Sequence, residues 1–142
     1  MYREIYNKLI GGNICKITRV CNLISIEIDT CKNKIYLHIQ AFFRVLQNGK
    51  LVLSSEDLYR CKENEDSERF EWDVPGKAVF DNSLQSCQEL LKKSKIVDVA
   101  ISEGDLQINL ENDFLIQIFI DTTQKEEKYR IFDDETCFII NS

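Results

Sequence analysis

The chain has 142 residues, 44% of them apolar, with 18 basic and 24 acidic side chains, one histidine and a formal charge of −6. That length supports a single hydrophobic core without disulfide staples or a structural metal. The acidic balance argues against a sequence-independent nucleic-acid binder, which needs a basic face to displace counterions, and it favours basic proteins as partners.

Residues 2–10 place Ile5 and Leu9 on one helical side, and Gly11-Gly12 supplies the stop. Strands follow at Ile14 to Val20 and Leu23 to Thr30, where Ile24, Ile26 and Ile28 alternate with polar residues. Alternation from Ile35 to Val45 predicts one long central strand. Asn48-Gly49 then marks a hairpin that returns through Leu51-Val52-Leu53, and Ser54 to Tyr59 predicts a capped helical turn. Residues 60–76 form an acidic linker loop. A second helix is expected over 82–93, capped by Asp81, Asn82 or Ser83. Five short strands follow: Ile96 to Ile101, Leu106 to Leu110, Phe114 to Ile120, Lys128 to Phe132 and Cys137 to Ile140, joined by polar turns that favour antiparallel meanders.

Setting residue n against n + 82 matches Leu9 with Leu91, Ile24 with Leu106 and Ile28 with Leu110. Closing the first turn by three residues then matches Leu37 with Ile116. The expectation is an α+β single domain over 1–142, made of two similar helix-plus-antiparallel-meander halves at about 1–59 and 81–142. Each helix would cover one face of a sheet, and an internal duplication would account for the match.

Two surfaces carry the functional expectations. Glu63, Glu65, Asp66 and Glu68 share the 60–76 loop with Phe70 and Trp72, and aromatics among carboxylates suit recognition of a basic protein. The competing reading has Phe70 and Trp72 pinning the loop to the domain's own core. The alternative site is the polar side of the long strand, with Tyr36, His38, Gln40 and Arg44 in a row. There His38 would act as base and Arg44 as anion clamp, or a helix or loop would cover the face. The acidic run Asp133-Asp134-Glu135 is expected to be a solvated turn.

No zinc spacing, calcium loop, dinucleotide or Walker glycine pattern, or G-x-S-x-G elbow occurs, so no metal, cofactor or catalytic residue is expected. The longest stretch free of charge, Ile35 to Phe43, is far shorter than a membrane-spanning helix, and charges at Arg3, Glu4 and Lys8 fall where a secretory signal would be apolar. A cytoplasmic location is therefore expected, with the six cysteines as reduced, buried and inert thiols.

The segments Leu37-His38-Ile39-Gln40, Phe43-Arg44, Ser54 to Tyr59, Gly104 to Ile108 and Glu127-Lys128-Tyr129-Arg130 together resemble small bacterial proteins, some of them regarded as immunity proteins beside polymorphic toxins. The resemblance implies a dedicated, non-catalytic inhibitor of a toxin domain, which the acidic balance of the chain leads one to expect to be basic, and it brings no catalytic residues. The runner-up is a small housekeeping protein that binds a ligand or forms a homodimer.

Overall fold

The structure, a computed structural model, describes residues 1–141. Its elements in chain order are α1 (Tyr2–Leu9), β1 (Asn13–Val20), β2 (Leu23–Asp29), β3 (Lys34–Ile39), β4 (Phe42–Gln47), β5 (Lys50–Ser54), α2 (Val79–Lys92), β6 (Ile96–Ser102), β7 (Asp105–Leu110), β8 (Phe114–Phe119), β9 (Glu127–Phe132) and β10 (Cys137–Asn141). Two short 3-10 turns, Ser55–Tyr59 and Ser67–Arg69, lie between β5 and α2. The fold is α+β, with two five-stranded antiparallel sheets ordered β1-β2-β3-β9-β10 and β5-β4-β8-β7-β6.

Alternation sets the inner faces. Ile24, Ile26 and Ile28 of β2 and Leu106, Ile108 and Leu110 of β7 are all buried, and the apolar sides of both sheets join in one hydrophobic cluster. The long strand expected over 35–45 is two strands in different sheets. The chain leaves the first sheet at Gln40 and enters the second at Phe42, with the small Ala41 buried at the corner. Its inward residues stay inward throughout, because the crossing keeps the same side of the chain toward the core.

The two halves exchange hairpins. Strands β1 to β3 receive β9-β10 from the second half, and β6 to β8 receive β4-β5 from the first. Registers correspond as well: Ile24 opposite Ile39 and Ile26 opposite Leu37 match Leu106 opposite Ile118 and Ile108 opposite Ile116. His38 opposite Arg130 matches Gln117 opposite Arg44. Strand order and register therefore correspond between the halves.

Neither helix covers an outer sheet face, contrary to the layer arrangement expected from the sequence. α2 packs on β1 and β5, edge strands of different sheets, and so closes one side of the sandwich. α1 packs on β6, an edge at the other side, where Gly11 donates to the Ile96 carbonyl and Ile96 to that of Gly12. Gly12 is required there, since a Cβ would stand 2.7 Å from Ile28 Cγ2. The Asn48-Gly49 turn has positive φ at both residues, as a two-residue hairpin of this kind demands.

α2 begins at Val79, three residues before the expected start, so Asp81 lies inside its first turn. Its carboxylate accepts from the Ala78 N–H at 3.0 Å and from Arg19 Nε and Nη2 at 2.9 and 2.8 Å. Arg19 also donates to the carbonyls of Cys21 and Val74, tying β1, α2 and the end of the acidic loop together. Burial pushes the Asp81 carboxyl up, but Arg19 and the backbone donors outweigh it and hold the group below its ordinary value.

Asp133 is not the solvated turn residue expected from its acidic run. Its side chain is only 2% exposed, and Oδ2 accepts from Lys8 of α1 at 2.7 Å and from Asn33 at 3.0 Å. Oδ1 accepts from the Glu135 and Thr136 backbone, so one carboxylate fastens α1 and two turns. The thiol expectation is corrected too. All six cysteines are free, yet only Cys87 is buried, while Cys21, Cys31 and Cys137 are exposed in turns or on an outward strand position. Burial pushes the Cys87 thiol up. Among the described residues no helix is long and apolar enough to cross a membrane.

Candidate functional site

Residues 60–77 carry six carboxylates against Arg60, Lys62, Arg69 and Lys77, a local charge of 4 − 6 = −2. The segment is long, yet it is fastened at several points. Cys61 and Ala78 form an antiparallel bridge, Val79 donates to the Arg60 carbonyl at 2.9 Å, Lys62 Nζ donates to the Gly76 carbonyl, and Arg19 holds Val74. Asp66 accepts from the Glu68 N–H and caps the 3-10 turn, with Arg69 3.5 Å away. These bonds order the loop without helix or sheet of any length.

The two aromatics part company. Phe70 packs against the hydrophobic cluster, which is the core-anchoring role, whereas Trp72 is half-buried against Tyr59 with ring centroids 5.0 Å apart. Tyr59 is 49% exposed, so the pair offers aromatic surface to solvent. Glu63, Glu65, Asp66 and Glu68 are all exposed. Phe70, Glu65 and Asp66 line an open cleft of about 590 Å³ together with Lys62, Arg69 and Lys77, within the size range of ligand and side-chain pockets. The structure thus brings Glu65, Asp66 and Phe70 to one concavity, while Trp72 lies outside that lining.

The alternative face does not exist as a single row. Tyr36 and His38 stand half-exposed on the outer side of the first sheet, uncovered by a helix. Arg44 stands on the outer side of the second sheet, its Nε donating to Gln117 Oε1 at 2.7 Å and its guanidinium 5.3 Å from the Phe119 ring. Gln40 lies in the crossing between sheets, where its backbone N–H donates to the Lys128 carbonyl. The physical reason is the change of sheet at residues 40–41, which sends residues on either side of it to opposite outer faces.

His38's real neighbours come from β9. Arg130 is directly opposite it and is held by Glu127 at 2.6 Å, and Phe132 stacks on Tyr36 at 5.4 Å and meets the His38 ring edge-on at 4.9 Å. Sequence reasoning missed Arg130 and Phe132, although the second hairpin's equivalence to the first, Arg130 for Arg44, was a signal that could have found them. Lys128 was missed as well. Its side chain is 2% exposed, with the amine among Asp121, Glu126 and Thr122, and the Glu126 and Asp121 carboxylates hold its pKa above the ordinary value despite burial.

Among the described residues no group of three or more His, Cys, Asp or Glu side chains is placed to hold a metal ion. No family model, curated protein or solved structure matches the chain.

Proposed function

We propose that the protein is a non-catalytic binding protein whose 60–76 loop captures a basic protein partner, in the manner of an immunity protein that neutralises a toxin domain. The observation that carries this reading is the coexistence of exposed carboxylates with the half-buried Trp72, packed beside the exposed Tyr59, on a loop held in place by Phe70, Arg19 and Lys62. A fixed loop loses little conformational freedom on binding, so its carboxylates can steer a cationic partner while Tyr59 and Trp72 supply contact area. A cytoplasmic setting suits free thiols exposed at Cys21, Cys31 and Cys137.

The test is calorimetric titration with the purified products of the reading frames adjacent to its own, basic domains first. A stoichiometric complex that weakens with added salt and is lost in Trp72→Ala supports the proposal. No heat of binding, or binding indifferent to Trp72→Ala, refutes it. The second reading, a ligand-binding or homodimeric protein, draws on the uncovered Tyr36, His38, Arg130 and Phe132 surface. Loss of function on His38→Ala with the loop intact would favour it.

A further inference from the structure

Four strands end the two sheets, and three of them are covered or charged. β1 carries Lys16 and Arg19 and lies under α2, β5 carries Lys50 and also lies under α2, and β6 carries Asp98 and lies against α1. α1 has 8 residues where α2 has 14. By the equivalence of the halves α1 stands to β10 as α2 stands to β5, but the shorter α1 is tied to that hairpin at its turn, through Lys8 and Asp133, and among the described residues the backbone of β10 hydrogen-bonds to β9 alone. The far edge of β10 therefore presents backbone N–H and C=O groups without a strand or helix partner.

β10 also lacks the devices that normally blunt an edge. Cys137-Phe138-Ile139-Ile140-Asn141 holds no charge and no proline, and its one irregularity falls at the Ile140/Asn141 end. Ile139, at its centre, is 47% exposed on the outer face. We propose that β10 pairs antiparallel with β10 of a second copy across a twofold axis at Ile139, extending the first sheet to ten strands. Three properties select a second copy. Twofold pairing sets Ile139 against Ile139, Phe138 against Ile140 and Cys137 against Asn141, so no charge meets a like charge. The half-exposed Ile139 and partly buried Phe138 gain cover. The acidic loop is tied through Arg19 to β1, the edge of the first sheet opposite β10, so both copies keep it free.

Sedimentation equilibrium of the whole chain tests the proposal, with Ile139→Lys as the interface variant, because a half-exposed outward position tolerates lysine within the monomer. The expected result is a concentration-dependent dimer that Ile139→Lys weakens roughly tenfold or more, with unchanged circular dichroism and, at concentrations where both proteins are monomeric, an unchanged melting temperature. Asn141→Cys should then form a covalent dimer under mild oxidation through Cys137 of the other copy, and Cys137→Ser should abolish that cross-link. A chain that stays monomeric at every concentration overturns the proposal, as does a dimer indifferent to Ile139→Lys. Amide protection at 137–141 that appears only on adding a basic protein would replace the second copy with a partner strand and equally overturns it.

Discussion

Replacing Arg19 by methionine removes the guanidinium while keeping most of the apolar stem. The variant loses both bonds to Asp81 and those to the Cys21 and Val74 carbonyls, at a site where the Arg19 side chain is 3% exposed and Asp81 15%. Breaking a buried ion pair from one side costs about 3–5 kcal/mol, since the remaining charge stays desolvated. Here Asp81 keeps the Ala78 N–H and some water access, which places the cost at the lower end, about 3 kcal/mol. At ~2–4 °C per kcal/mol for a chain near this size, the melting temperature should fall by roughly 6–12 °C. Thermal unfolding and urea titration measure it, and Arg19→Met with Asp81→Leu should recover part of the loss by removing the stranded carboxylate. Amide exchange should quicken across 70–78 in the single variant, because Arg19 holds the Val74 carbonyl. A loss below about 1 kcal/mol with unaltered loop exchange would refute the claim that this pair fastens the loop.

Asp133→Asn should cost roughly 1.5–3 kcal/mol at neutral pH, through weakened bonds to Lys8 and the Glu135 and Thr136 backbone. Those donors hold the Asp133 carboxyl well below the carboxylate range, so its contribution is complete above the unfolded pKa of ~3.9 and is lost as pH falls through the folded value. Urea midpoints of wild type and variant should therefore converge in strong acid. Phe70→Ala, which removes a ring packed on the core, should lower stability by about 2–4 kcal/mol, whereas Trp72→Ala should cost about 0.5–1.5 kcal/mol, chiefly its contact with Tyr59. Scanning calorimetry of both variants checks the contrast. In native protein Cys21, Cys31 and Cys137 should react promptly with a thiol reagent and Cys87 only on unfolding, as timed labelling and mass spectrometry would reveal.

The elements were legible because period-two alternation at Ile24, Ile26 and Ile28 and the Asn48-Gly49 turn are local signals of burial and φ. The change of sheet at Gln40-Ala41 was not. In a sandwich the strand that crosses between sheets keeps one side toward the core, so Ile35 through Val45 alternate without a phase break. That hidden crossing is why Arg44 was assigned to His38's face and Arg130, 92 residues further along the chain, was not (130 − 38 = 92). Asp133 was misread for a related reason, since its partners Lys8 and Asn33 are distant in sequence. In the candidate site, the acid and aromatic composition of 60–76 was visible, while the division of labour between Phe70 and Trp72 depends on which ring the core reaches.

The most direct test of the loop as a recognition surface is the association rate with the basic partner that the titration identifies, measured by stopped flow across ionic strength. Wild type is compared with the triple charge reversal at Glu63, Glu65 and Glu68, leaving Asp66 in place because it caps the 3-10 turn. The account predicts association slowed by roughly tenfold or more at low salt and a flattened salt dependence, with the fold unchanged. Equal rates and equal salt slopes for the two proteins would contradict it.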